Sequence, residues 1–293
     1  MTDQQAVGTL HERILMGGAD LHMHSTISDG TSPPDRLADE VCAAGLVTVS
    51  LTDHDSLAGT SIMNQRLREL SVNGVKTPLL IPGIELSVEG YQRELHLLAY
   101  YPYAEETKLQ PYIDRQLKSR RRRNAQLCAK LGHLGYEITP AELRMEAKDG
   151  NAGRPHAARI LVRKGYFTSV QQAFDQLLAD DQAGYVPRHN PSLMEALEEI
   201  KRTGGVSVLA HPANYGWLRC PDTLLWRLSE MKEQGLAGVE TIHGETSLKD
   251  SAIIAEAADK LGLLKTVGSD YHGENKINVR LLNGTQDFSR YLG

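Results

Sequence analysis

The sequence predicts an α/β protein: a distorted (β/α)7 barrel, TIM-like in plan, interrupted by a helical insert. Three observations carry this expectation. Short β-branched runs alternate with stretches of helical apolar spacing along most of the 293 residues. Between about residues 104 and 183 the strand-like runs stop and only helical patterns remain. Histidines or acids close nearly every strand-like run, which is where such barrels gather their functional residues.

The first strand leads into Asp20-Leu-His-Met-His-Ser-Thr-Ile-Ser-Asp-Gly, residues 20–30. Strand side chains alternate with period two, so His22 and His24 share a face while Leu21 and Met23 take the other. Asp29 follows on a tight turn closed by Gly30. Residues 35–44 have helical spacing through Leu37 and Val41 and stop at Gly45. The β-branched run 46–52 is the second strand and enters Asp53-His54-Asp55, after which 58–70 is helical. The third strand, 79–86, is broken by Pro82-Gly83 and carries Glu85. The fourth, 94–101, carries His96.

In the insert, 106–134 reads as one long helix bearing Lys118-Ser-Arg-Arg-Arg-Arg. Thr139-Pro-Ala-Glu142 is a capping box, and two more helices are expected near 156–164 and 170–179. The alternation then resumes. A capping box, Ser192-Leu-Met-Glu195, opens helix 192–202, and strand 206–210 delivers His211. Helix 221–234 precedes strand 238–242, which delivers His243. Helix 248–261 precedes strand 264–268, which delivers Asp270 and His272. The expected organisation is a discontinuous catalytic barrel, 15–103 plus 184–293, with 104–183 as insert or cap.

Composition narrows the function classes. A net charge of −5 gives no general attraction to nucleic acid, so an anionic substrate would need a local positive field. The 3 cysteines have no C-x-x-C spacing and suit a reducing compartment rather than a disulfide framework. Residues 1–13 are polar without an apolar core, and no run of about 18 apolar residues occurs, so neither a signal peptide nor a membrane span is expected. A cytoplasmic location is expected, and no obligate protein partner is evident. Histidine is the informative residue type: of 11, seven fall in metal or acid–base motifs.

The strand ends bring His22, His24, His54, Glu85, His96, His211, Asp270 and His272 toward one rim. That exceeds the roughly four ligands of a single zinc. Two or three divalent ions sharing a carboxylate are therefore expected, and mixed imidazole and carboxylate donors suit manganese, iron or zinc. Such sites clamp a phosphoryl group during in-line attack.

Seven motifs in order, DLHMHSTISDG (20–30), LTDHD (51–55), GIELS (83–87), ELHLL (94–98), GRPH (153–156), LAHP (209–212) and GSDYHG (268–273), resemble the PHP (polymerase and histidinol phosphatase) family. Asp29 and the helical insert before GRPH resemble its stand-alone phosphoesterases. Those include nucleoside 3',5'-bisphosphate phosphatases, cyclic-phosphate phosphodiesterases and 5'-3' exoribonucleases. The resemblance implies a trinuclear site. One ion would take His22, His24, Glu85 and Asp270. A second would share Glu85 and take His96 and His156, and a third would take Asp29, His54 and His272. It further implies His211 as the substrate-facing histidine, here assigned as general acid, and Arg154 as a bidentate phosphate clamp.

The implied activity is hydrolysis of phosphate esters of small nucleotides or sugar phosphates, by a metal-bound hydroxide attacking phosphorus. Rival readings are a 5'-3' exoribonuclease on short RNA, an amidohydrolase-type C–N hydrolase, and a non-catalytic metal-binding domain. Blander roles fall to other residues. Asp53 and Asp55 hold the turn beside His54 or orient its ring. Arg120, Arg121, Arg122 and Arg123 form a solvated helix face, with an RNA grip as the minority reading. Arg159 and Arg163 solvate their helix, His11 and His133 lie at the surface, and Tyr185 and Tyr271 are packing groups. Arg188 and His189 could reach a pocket from the insert. His243 lacks a partner motif and is left out of the ligand set.

Overall fold

The computed structural model describes residues 3–103, 105–147, 152–179, 181–187, 190–286 and 288–292. Arg188 and His189 lie outside the described residues. The chain divides into two compact units, Met1–Pro111 with Pro191–Gly293, and Tyr112–Asn190.

The first unit opens with a helix absent from the sequence reading, α1 (Asp3–Leu15), whose Ala6, Leu10 and Ile14 are buried at i, i+4 and i+8. β1 (Ala19–Asp20) is followed by α2 (Pro34–Ala43), β2 (Thr48–Val49), α3 (Ala58–Val72) and β3 (Leu79–Leu80). β1, β2 and β3 form a parallel sheet in that order, with Asp20 opposite Val49 and Val49 opposite Leu80. Then come β4 (Gly83–Gly90) and β5 (Arg93–Tyr100), and after the second unit α8 (Leu193–Thr203), β6 (Val206–Leu209), α9 (Pro221–Glu233), β7 (Gly238–Ile242), α10 (Leu248–Leu261), β8 (Leu264–Val267) and the four-residue α11 (Ser289–Leu292). β4 to β8 make a second sheet in sequence order.

The expectation of a single parallel sheet closed as a seven-stranded barrel is corrected here. The ladders form two sheets, and β4–β5 and β5–β6 are antiparallel. The cause is local. Only Tyr91 and Gln92, both at positive φ, separate β4 from β5. A two-residue connection makes a hairpin, whereas a parallel crossover needs a dozen residues or more. The Pro82-Gly83 break splits the expected third strand into β3 and β4, because proline removes a ladder donor. Between the sheets run isolated bridges, Met23 to Tyr271 and His54 to Glu85. The core packs the inner faces of the strands, such as Leu21, Val49, Val208 and Val267, against Leu37 and Val41 of α2, Met63 of α3 and Leu10 of α1.

The second unit is helical: α4 (Gln110–His133), whose first two residues belong to the first unit, then α5 (Pro140–Glu146), α6 (Arg154–Arg163) and α7 (Val170–Ala173). α4 is preceded by a 3-10 turn, Glu106–Leu109, and α7 continues into a π-helical turn, Phe174–Leu178. Both expected capping boxes supply an N-cap: the Thr139 hydroxyl accepts from Glu142 N–H and the Ser192 hydroxyl from Glu195 N–H. The core of this unit is apolar, with Leu127, Leu131, Leu143, Ile160, Leu161 and Leu177 buried together.

Candidate active site

The loops that follow β1, β2, β6, β7 and β8, together with the β4–β5 hairpin, deliver polar side chains to one buried place. Glu85, on β4, is its centre. Its Oε1 stands 3.4 Å from His22 Nε2, 3.0 Å from His96 Nδ1 and 3.1 Å from His211 Nε2. Its Oε2 stands 3.2 Å from His24 Nε2 and 3.1 Å from His54 Nδ1. Asp270 Oδ1 lies 3.4 Å from His22 Nε2, 3.3 Å from His24 Nε2 and 3.3 Å from His272 Nδ1. Asp29 lies 3.2 Å from His272 Nε2 and 3.8 Å from His54 Nε2. Nine of the expected residues, His22, His24, Asp29, His54, Glu85, His96, His211, Asp270 and His272, thus meet.

His156 and Arg154 belong to the helical unit. There His156 Nδ1 accepts from Gly153 N–H at 3.2 Å, and Arg154 donates to the Leu178 carbonyl while its guanidinium lies 5.2 Å from the Tyr185 ring centroid.

Local folding explains the convergence. Asp53 accepts from Ser25 N–H, Ser25 Oγ and Ser28 Oγ, each at 2.8 Å, and so ties the 25–28 turn that presents His24 and Asp29. Asp55 accepts from Ser87 N–H at 3.1 Å and joins the His54 turn to β4. Asp20 accepts from Ser269 N–H at 2.9 Å, fixing the approach to Asp270. Asp55, His211 and Asp270 each hold positive φ, a conformation that non-glycine residues keep only where surroundings impose it.

Sequence reasoning missed two members. His243 Nε2 lies 3.0 Å from Asp270 Oδ2, and buried Glu240 touches both His22 and His211. A regular strand would send residues 240 and 243 to opposite faces. The ladder register shifts between Glu240 and Ile242, and both Glu240 and His243 are buried at the centre. The one visible signal was His243 closing a strand. Lys276 also enters, pairing with Asp270 and, at 3.5 Å, with Glu245.

Charge follows the same geometry. Burial pushes His24 down, yet the carboxylates of Asp270 and Glu85 beside it carry its pKa up to about 9. Burial likewise opposes the rise of His96, which Glu85 and Glu94 bring to about 10. His22 rises well above its usual range against burial because Glu240, Glu85 and Asp270 surround it. For His54 burial wins and lowers the pKa to about 4. Burial also lowers His211. Glu85 and Asp270, though buried, are held well below the carboxylate range by the imidazoles around them.

The donor set fits divalent cations. His22 Nε2, His24 Nε2, Asp29 Oδ1 and Glu85 Oε2 are buried with no hydrogen-bond partner, and atoms so placed call for a ligand. Among the described residues, four overlapping groups keep their donor atoms within 4.8 Å of one another: His24, Asp29, His54 and His272; His22, His24 and Asp270; His54, Glu85 and His96; and His243, Glu245 and Asp270.

Gly268 leaves room for this centre. A Cβ there would stand 2.3 Å from His22 Cβ and 2.6 Å from Glu240 Oε1. Gly268→Ala is therefore expected to displace His22, to destabilise by about 1–3 kcal/mol, and to weaken divalent-metal uptake without altering a single donor. Thermal unfolding and elemental analysis of the purified variant check this.

A buried set of imidazoles and carboxylates presented by strand ends defines a metal-centre α/β protein. The chain belongs to the PHP domain family, matched over residues 20–186. It is 30% identical over 260 residues to a 3',5'-nucleoside bisphosphate phosphatase from Chromobacterium violaceum, covering 88% of each chain. It is 28% identical over 257 residues to a 5'-3' exoribonuclease from Haemophilus influenzae, covering 86% of this chain and 89% of that one. A Bifidobacterium adolescentis crystal structure, ascribed to the metal-dependent phosphoesterases, superposes with a TM-score of 0.75 at 27% identity, covering 93% of both chains. Among the described residues no helix is long and apolar enough to cross a membrane.

Proposed function

We propose that this PHP-domain protein is a metal-dependent phosphoesterase acting on small phosphorylated nucleotides, with nucleoside bisphosphates as the leading class. The observation that carries the reading is Glu85, a buried carboxylate within 3.4 Å of five imidazoles, with lone-pair atoms around it that lack partners. The phosphatase relative supports the substrate class. His22, His24, Glu85 and Asp270 would hold one divalent ion, Glu85 with His96 a second, and Asp29, His54 and His272 a third. Manganese, iron and zinc all suit this donor set. Bound there, such ions supply Lewis acidity that polarises the phosphoryl group and acidifies water. The bridges joining the two sheets, and the bond from Leu21 N–H to the Val267 carbonyl at 3.0 Å, support a distorted barrel as the frame.

His211 serves as general acid to the departing oxygen. Its ring is buried, its Nε2 faces Glu85, and its Nδ1 has no hydrogen-bond partner. His211→Asn is expected to lower kcat on a nucleoside phosphate by about 10²–10⁴-fold. The loss should shrink on 4-nitrophenyl phosphate, whose leaving group departs without protonation. Equal losses on both substrates would remove His211 from this role.

The whole reading is tested by phosphate release from a panel of nucleoside bisphosphates, cyclic phosphates, sugar phosphates and an RNA ladder, before and after chelation. Metal-reversible release from a mononucleoside bisphosphate is expected. Hydrolysis confined to amides would sink it. The exoribonuclease relative favours a second reading, attack on the 5' end of short RNA, for which a trinucleotide would outrun the mononucleotide. Arg121 and Arg122 are exposed, so replacing them tests an RNA grip without disturbing Arg123, which donates to the Val186 carbonyl.

A further inference from the structure

Glu240 is buried on β7, and its two carboxylate oxygens have different work. Oε1 accepts from His22 Nδ1 at 3.0 Å, and Oε2 accepts from His211 N–H at 2.8 Å. On the far side of the His22 ring, Nε2 points between Glu85 and Asp270, at 3.4 Å from each. His211 holds φ +31°, a left-handed conformation that costs an L-residue energy and needs an external constraint.

We propose that Glu240 is a positioning residue serving two members of the centre at once. Its Oε1 keeps a proton on His22 Nδ1, which leaves the Nε2 lone pair as the ligand atom. Its Oε2 pins the backbone turn that carries the His211 ring. The inference rests on reading His22 as a metal ligand. A hydrogen-bond partner on the far ring nitrogen fixes the tautomer and orientation of ligating histidines in this way, and losing one weakens metal affinity by about 10–100-fold. Only a carboxylate meets both demands. Glutamine has one acceptor oxygen, so its amide N–H₂ must face either His211 N–H, donor against donor, or His22 Nδ1. The second placement shifts the ring proton to Nε2 and blocks ligation.

Glu240 stands in the regular part of the β7 ladder, opposite Thr266 of β8, and its side chain is buried beside both partners. Thr241, the next residue, is buried with its hydroxyl donating to the Thr266 carbonyl at 3.1 Å, and it provides a packing control on the same strand.

The test measures manganese and zinc affinity of the full chain by calorimetry for wild type, Glu240→Gln and Thr241→Val. Glu240→Gln is expected to bind about 10–100-fold more weakly, while Thr241→Val keeps wild-type affinity despite a lowered Tm. A folded Glu240→Gln protein with wild-type affinity would overturn the proposal. Because that variant leaves a buried donor unsatisfied and could fail to fold, nitrogen-15 spectra of the wild-type histidines give an independent readout. His22 should keep a hydrogen-bonded Nδ1–H in the metal-free protein and after metal addition, with the shift change falling on Nε2. Metal-induced change at Nδ1 overturns the proposal. A wild type that takes up no metal fails the metal-centre reading instead, and the metal-free Nδ1 signal then decides the Glu240 contact alone.

Discussion

Glu85→Gln is expected to abolish metal uptake and metal-dependent phosphate release together. The substitution keeps size and shape, so its effect isolates charge. Glu85 lies against His22, His24, His54, His96 and His211 within 3.4 Å, and it is buried. An amide offers one acceptor where the carboxylate offers two oxygens, and its N–H₂ would be turned toward ring nitrogens that should bind a cation. The shared carboxylate of the proposed sites would be gone, so activity should fall by at least the ~10²–10³-fold seen when one stabilising polar group is removed from an active site. The histidines report the same change without any substrate. After burial, the influence of Glu85 is the largest on His96, so the raised pKa of His96 should fall in the variant. Elemental analysis, phosphate-release rates and a histidine NMR titration measure these effects. A Glu85→Gln protein that is purified with its full metal content would show that this carboxylate does not organise the centre.

The part of this site legible in the sequence was the part written in regular periodicity. His22 and His24 share a face because strands alternate, and Asp270 and His272 repeat the same spacing after β8. The parts that were hidden depend on departures from regularity. The β7 ladder slips between Glu240 and Ile242, just before His243, and no period-two count shows a slip. The antiparallel turn at Tyr91 and Gln92 was hidden for a related reason. It uses positive φ without the glycine or asparagine that normally marks such turns. The Pro82-Gly83 break was seen, but whether it ends a strand or only bends it depends on the partners: β3 pairs with β2 while β4 pairs with β5. Helix α1 is hard to read from sequence because its buried face is only Ala6, Leu10 and Ile14, set among polar residues.

Divalent-metal affinity should climb by at least about a hundredfold per pH unit between pH 7 and 8.5, because binding must displace at least two protons and each displaced proton contributes about tenfold per unit. Two of the displaced protons sit on His24 and His96, whose pKa values of about 9 and about 10 keep both rings cationic at neutral pH while no metal is bound. Those raised values also shape the stability of the metal-free protein. A histidine whose folded pKa exceeds its ordinary 6.5 stabilises fully below pH 6.5, and that contribution is lost as pH rises through 9 to 10. His54 acts in the opposite sense. Burial lowers it to about 4, so the unfolded chain takes up its proton first and stability declines as pH falls from 6.5 toward 4. Glu85 and Asp270, held below the carboxylate range, contribute stability above their ordinary pKa values and lose it only in stronger acid. The metal-free protein should therefore be most stable near pH 6.5, declining toward acid with His54 and toward alkali until about pH 10 with His24 and His96. In the metal-loaded protein the alkaline decline disappears, since a ligating imidazole is neutral and the cation replaces the proton as partner to Glu85. Calorimetric titrations in buffers of different ionisation enthalpy count the protons released, and Tm against pH with and without metal maps the two edges. Release of no protons at pH 7.5, with affinity flat across this range, would mean that His24 and His96 do not lie at the binding site.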